Sequence, residues 1–273
     1  MPQSAVQSPS ANNTGIGTET PSSATSTPPE SQFTSSVSPS KPSQKSRQQQ
    51  RKRTQGLDYG SLEALFTQEQ TKPSTDTSSA PPSSPWYILT TANLLAFHKE
   101  KLIGELWTYL ATSLHQNRHL PKVDEANDDD VMEEEKRLLL LTARRIREAC
   151  LKASTLVGFP RAINALFSLT SAIERTHPSL SAILSSDTSL RAHVGPSEKY
   201  TRGMSFFSQI YKQHTARVLA AMDATSGGDL THFAINCIYG ELLSETSLLD
   251  GLETGLLEFV CCLADGCGPQ AKG

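Results

Sequence analysis

No stretch of about 20 apolar residues occurs in the chain, so the sequence offers no membrane-spanning helix. An excess of charge of one sign is lacking too: the formal net charge of -3 leaves no overall footprint for nucleic acid or an anionic membrane, so neither is expected as a partner. There is no secretory signal peptide, and the five cysteines fall within expected helices or at their ends. That combination points to a reduced, intracellular compartment. The cytoplasm is favoured. Mitochondrion and peroxisome stay open without an address, since the amino end lacks an Arg-rich amphipathic pattern and Ala271-Lys272-Gly273 is not a Ser-Lys-Leu-type signal.

Large apolar side chains are almost missing from Met1 to about Ser83, where Ser, Thr, Pro and Gln dominate. Such a stretch cannot bury enough surface to offset a chain entropy of roughly 1 to 2 kcal/mol per residue. The expected organisation is a disordered tail over 1–83 and one all-α domain over 84–273. In the tail, Lys45, Arg47, Arg51, Lys52 and Arg53 make a basic cluster over 45–53 that suits an anion-binding or nuclear-import patch. Leu57 to Gln70 has the composition of a short helix.

From Trp86 onward no convincing strand pattern interrupts the helical signal. Helices are expected over Leu89–Leu114, Val131–Leu156, Pro160–Arg175, Glu198–Ala224, Asp229–Leu243 and Asp250–Asp265, with the acidic run Asp124–Asp130 and the stretch His177–Pro196 as loops. In the second helix Leu139, Ala143, Ile146, Cys150 and Ala153 share one face, and Arg144, Glu148 and Lys152 form a charged row on another. Met204, Phe207, Tyr211, His214, Val218 and Ala221 recur at three- and four-residue steps, as one buried stripe would. The same holds for Leu230, Phe233, Ala234, Cys237, Ile238 and Leu242, and for Leu252, Leu256, Phe259, Val260 and Leu263. Asp250 and Glu253 are spaced as a capping box opening the last helix.

Three segments carry a resemblance: LVGFPRAINAL (Leu156 to Leu166), DLTHFAINCIYGELLSETSLLD (Asp229 to Asp250) and LETGLLEFVCCLADGCGPQAKG (Leu252 to Gly273). Together they resemble the carboxymuconolactone decarboxylase and alkylhydroperoxidase D superfamily. The resemblance implies an AhpD-like helical bundle, peroxidase (peroxiredoxin-type, oxidoreductase) or lactone-decarboxylase activity on a small peroxide or lactone, no metal or organic cofactor, and a homo-oligomer, trimer or hexamer. Residue by residue it places Cys267 on the first cysteine of the family's Cys-x-x-Cys, Gln270 on the second and Gly255 on a glutamate. The family's histidine would follow Gly273, so the chain is expected to be incomplete at that end and its activity impaired. The alternative reading is a non-catalytic helical oligomeric interaction module with a basic tail.

The residues themselves nominate Cys267, between two glycines at a helix end; Glu258, a carboxylate after two leucines and therefore a proton relay with a raised pKa if buried; and His214, a general base or a core histidine on its apolar stripe. Cys261 and Cys262 read as small core residues, and Tyr239-Gly240 as close packing with a phenol that needs a partner. No paired His or Cys spacing suits a metal.

Overall fold

The computed structural model describes residues 56–67, 85–118, 128–191 and 194–271. All the described residues lie in the unit that begins at Gly56. Helices account for the regular structure, and no strand occurs among the described residues, so the fold is all-α. The basic cluster at 45–53 and most of the acidic run lie outside the described residues.

Chain order gives α1 (Tyr59–Thr67), α2 (Trp86–Ala96), a 3-10 turn (Glu100–Leu102), α3 (Ile103–Arg118), α4 (Asp128–Val157), α5 (Phe159–Thr176) and α6 (Pro178–Ser186). Then come α7 (Pro196–Tyr211), a 3-10 turn (Lys212–His214), α8 (Thr215–Ser226), α9 (Asp229–His232) running into a π-helix (Phe233–Leu243), α10 (Gly251–Ala264) and α11 (Gly268–Ala271). The principal core gathers around α4, whose Leu139, Ala143, Ile146, Cys150 and Ala153 are all buried, as the periodicity requires. α2, α3, α5 and α10 surround it, and α1 joins through Tyr59, whose hydroxyl donates to the Leu102 carbonyl at 3.0 Å. A second, smaller core of Phe206, Phe207, Ile235, Tyr239 and Leu243 lies between α7 and the π-helix.

Several expected elements differ in instructive ways. The first helical region breaks at His98, which adopts φ 56, and the expected loop 177–196 contains α6, started by Pro178 in its first turn. The expected helix Glu198–Ala224 is interrupted at Lys212, whose φ of 45 no ordinary helix allows, and Ala221 beyond the break is exposed. The segment Phe233–Leu243 is a π-helix, in which each bond spans one more residue than in an α-helix. Its wider turn redistributes the faces: Ile235, Tyr239, Gly240 and Leu243 go inside, while Phe233 and Cys237 are exposed.

α10 reverses its expected orientation. Glu253, Thr254, Leu257, Glu258 and Cys261 are buried, whereas Leu252 is 72% exposed and Phe259 and Leu263 also face outward. The apolar stripe is regular, but the polar stripe has partners on α4, while of the apolar one Val260 packs against the principal core, Leu256 is half-buried and the rest face outward.

The crossing of α7 and the π-helix depends on two glycines. A Cβ on Gly203 would stand 2.1 Å from the Ile235 carbonyl oxygen, and one on Gly240 would stand 2.3 Å from the Lys199 carbonyl oxygen. Both obstacles are backbone, so neither can rotate away. G203A is therefore expected to destabilise the fold by about 1 to 3 kcal/mol or more. G195A, at a glycine with nothing within 4 Å, is expected to be near neutral. Denaturant unfolding of the two variants checks this, and equal midpoints would show that the crossing is looser than described.

Candidate functional site

The register of α10 is set at its first turn. Asp250 Oδ1 accepts from the Glu253 amide at 2.8 Å and Glu253 Oε2 accepts from the Asp250 amide at 3.1 Å, so the expected capping box is present. The same Glu253 carboxylate takes a hydrogen-bonded ion pair from Arg145 of α4, whose guanidinium also lies 5.6 Å from the centre of the Tyr87 ring. These two bonds leave little rotational freedom for the rest of the helix face.

At the next residue, Thr254 Oγ1 accepts from Lys152 Nζ at 2.8 Å. Lys152 is fully buried on α4, and its ammonium also reaches the Glu245 carbonyl oxygen at 2.6 Å and Glu148 Oε1 at 2.9 Å. Three directions for three protons leave it satisfied. The charged row expected on a face of its own is thus largely inside the protein: Glu148 and Lys152 are buried, and only Arg144 reaches the surface, pairing with Asp187.

Glu258 follows one further turn along the same face. Its Oε2 accepts from the Tyr239 hydroxyl at 2.9 Å, while its Oε1 is buried without a hydrogen-bond partner. Burial pushes the carboxyl up to about 7, against the opposing pull of the Tyr239 hydroxyl and the Lys152 charge. The Tyr211 phenol neighbours Tyr239 on the cleft lining, and burial raises both phenols above their ordinary range.

A cleft of about 420 Å³ opens onto this group. Its apolar lining comes from Leu156, Phe206, Ile210, Leu256 and Phe259, and its polar lining includes Tyr211, Tyr239, Glu258, Cys262 and Lys212. Apolar walls with a few convergent polar groups and a perturbed carboxyl are the usual make-up of a small-molecule site. The cleft lies where the two cores meet, between α7, the π-helix and α10.

The three residues nominated from sequence are not brought together. Glu258 lines the cleft; Cys267 and His214 do not. Cys267 is exposed, with the Asp265 carbonyl oxygen 4.0 Å from its Sγ, and His214 is part-exposed in the 3-10 turn with Gln213 as neighbour at 3.4 Å. Cys261 is buried and Cys262 half-buried, and burial pushes their thiols up to about 12 and about 11, which disfavours the nucleophilic thiolate. Among the described residues no group of three or more His, Cys, Asp or Glu side chains is placed to hold a metal ion, and no helix is long and apolar enough to cross a membrane.

Sequence reasoning nominated Glu258, which the structure buries at the cleft, and missed the rest of its surroundings. Tyr239 was read as packing, and Lys152 and Glu148 only as members of a charged row, with no sign of their burial. A signal for the latter was present: Ala149, Cys150, Ala153 and Ser154 surround them with small side chains, as a helix buried on more than one side does.

No family model matches the chain, and no solved structure matches it. Two curated relatives do, both called Peroxisomal protein 2. The one from Schizosaccharomyces pombe is 34% identical over 129 residues, 47% of this chain and 56% of the relative. The one from Saccharomyces cerevisiae is 23% identical over 226 residues, 69% of this chain and 78% of the relative. The match thus spans little more than half the length of the S. pombe protein. These findings overturn the resemblance to the carboxymuconolactone decarboxylase and alkylhydroperoxidase D superfamily, and with it the peroxiredoxin, oxidoreductase and lactone-decarboxylase activities it implied. The three short motifs that carried the resemblance are helix turns and glycine contacts that many helical proteins need.

A carboxyl whose folded-state pKa lies above its unfolded value holds its proton more tightly in the fold. The contribution of Glu258 to stability is therefore fully present below about pH 4.5 and lost as pH rises to about 7. Over that window it amounts to about 3 kcal/mol. E258Q, which cannot ionise, is expected to gain about that much on the unmodified chain between about pH 4 and about pH 8. Urea unfolding of both proteins across this range tests it. Parallel stability curves would show that the carboxyl is not held protonated by the fold.

Proposed function

We propose that this chain is a peroxisomal protein whose helical unit binds a small, largely apolar organic molecule in the Glu258 cleft, with Glu258 as the group that exchanges a proton with it. The observation that supports this reading most directly is the partnerless Oε1 of Glu258, buried on a carboxyl that titrates near neutrality and lines the cleft. A buried polar atom left unpaired costs about 1 to 3 kcal/mol, and a bound hydroxyl, carbonyl or amine would satisfy it. Tyr239 orients the carboxyl through its other oxygen, and Lys212 supplies a cation to the lining. The location follows the printed names of both relatives, in place of the cytoplasm favoured by composition.

Two coarser proposals accompany this one. The chain divides into a tail, 1–83, and a helical domain, 84–273, with α1 packing on the domain from upstream of that boundary. Self-association is supported by the exposed apolar residues Phe159, Ile163 and Phe167 on α5 and Leu252 on α10.

The binding reading is tested by ligand-observed NMR with a library of small hydroxyl- and carbonyl-bearing aromatic and aliphatic compounds. Binders are expected whose affinity changes across pH 7, as the carboxyl titrates at about 7. They should be lost in G255L, because a Cβ on Gly255 already approaches Ile210 at 3.2 Å and a leucine would fill the cleft. The pH dependence should vanish in E258Q. Binders indifferent to both substitutions would remove the cleft from consideration. A fluorescent fusion that fails to coincide with a peroxisomal marker would remove the location.

A further inference from the structure

The ammonium of Lys152 is a costly thing to bury. Removing two charges from water costs several kcal/mol each, and well-packed apolar residues of similar volume often hold a core as well or better. Yet Lys152 and Glu148 are both fully buried, and the ammonium is fixed on three sides by Glu148, Thr254 and the Glu245 carbonyl. Thr254 lies one helical turn before Glu258 on the same buried face of α10.

Other groups near Glu258 supply no comparable buried charge: Lys212, which also lines the cleft, is exposed, so water screens it. From the π-helix and α7 come Tyr239 and Tyr211, both raised by burial and so neutral around pH 7. Its own helix contributes Cys261 and Cys262, whose thiols are also pushed up and uncharged there. Glu245, in the loop before α10, is held ionised by Ser247 and Arg202 and pairs with Arg202 at 3.3 Å. From α2, Tyr87 faces Arg145 and Glu253 instead. α4 alone brings a buried cation toward the carboxyl.

We infer that Lys152 is a positioning residue of the Glu258 site: anchored by Glu148, Thr254 and the Glu245 carbonyl, its fixed positive charge sets the pH at which the Glu258 carboxyl gives up its proton. This rests on the reading of Glu258 as the proton-exchanging group. Lys152 touches no ligand; it acts through the field at one helical turn's distance, and the Glu148 carboxylate 2.9 Å from its ammonium opposes the lowering that burial imposes on it.

The test is infrared spectroscopy of the full chain as a function of pH, following the band of a protonated buried carboxyl and assigning it to Glu258 by its loss in E258Q. The double variant K152M/E148L removes both charges and keeps apolar volume, and K152Q removes the charge while keeping donors toward Thr254 and the Glu245 carbonyl. Both are expected to raise the Glu258 midpoint by about one pH unit, a tenfold change in its ionisation equilibrium. Urea unfolding in parallel is expected to show the double variant no less stable than the unmodified chain. A midpoint that stays put in either folded variant overturns the inference while leaving the site intact. Failure of both variants to fold overturns it too, because the pair would then be structural. Absence of any Glu258 titration near neutrality in the unmodified chain would instead undo the reading of the cleft.

Discussion

Two bonds between α4 and α10, from Arg145 to Glu253 and from Lys152 to Thr254, decide which side of α10 faces inward. Without them the regular apolar row Leu252, Leu256, Phe259 and Leu263 would be the natural face to bury. Because Glu253 is simultaneously a capping residue and an ion-pair partner, helix start and helix rotation are fixed by one side chain. Everything downstream on that face inherits the rotation: Thr254 meets Lys152, Leu257 enters the principal core, and Glu258 is carried beneath the surface to Tyr239.

The partner of that carboxyl depends on a different constraint. Tyr239 reaches Glu258 from a π-helix, and the π-helix approaches α7 only because Gly203 and Gly240 let two backbones nearly touch. A π turn gives up optimal backbone geometry, which is why long ones are uncommon and tend to occur where a side chain must be aimed. Here it places Tyr239 and Gly240 side by side on the buried face, so that the residue making the close approach and the residue making the hydrogen bond are neighbours in sequence. The cleft exists in the angle between this pair of helices and α10, where Lys212, at a positive φ of 45, turns the chain out of α7.

How much of this could be read in the sequence follows from which interactions are local. The helical content, the capping box, the core face of α4 and the Gly158 turn, with φ of 96 before Phe159-Pro160, depend on spacing over a few residues and were legible. The rotation of α10 was not, since it depends on cations 108 and 102 residues away, and apolar periodicity carries no information about them. The π-helix was missed for a related reason: a count at 3.6 residues per turn assigns Phe233 and Cys237 to the inside, and only tertiary packing against α7 reveals the wider turn. The Glu258 carboxyl was nominated because two leucines before it signalled an apolar setting, and the structure does bury it.

The outward apolar rows and the inward charges of α10 belong to one arrangement. A helix that turns its polar side to the core must leave its apolar side elsewhere, and Leu252, Phe259 and Leu263 are the result, alongside Phe159, Ile163 and Phe167 of α5. The Arg161–Asp265 pair, at 3.6 Å, ties the start of α5 to the end of α10, so these two rows are held by one surface link. Phe259 belongs at once to the exposed row and to the cleft lining. Covering that row would therefore narrow the approach to Glu258 and reduce the water around its carboxyl. Since desolvation is the largest influence raising that carboxyl, any molecule seated on the row would favour its protonated form further, which links occupancy of the outer face to the proton held inside.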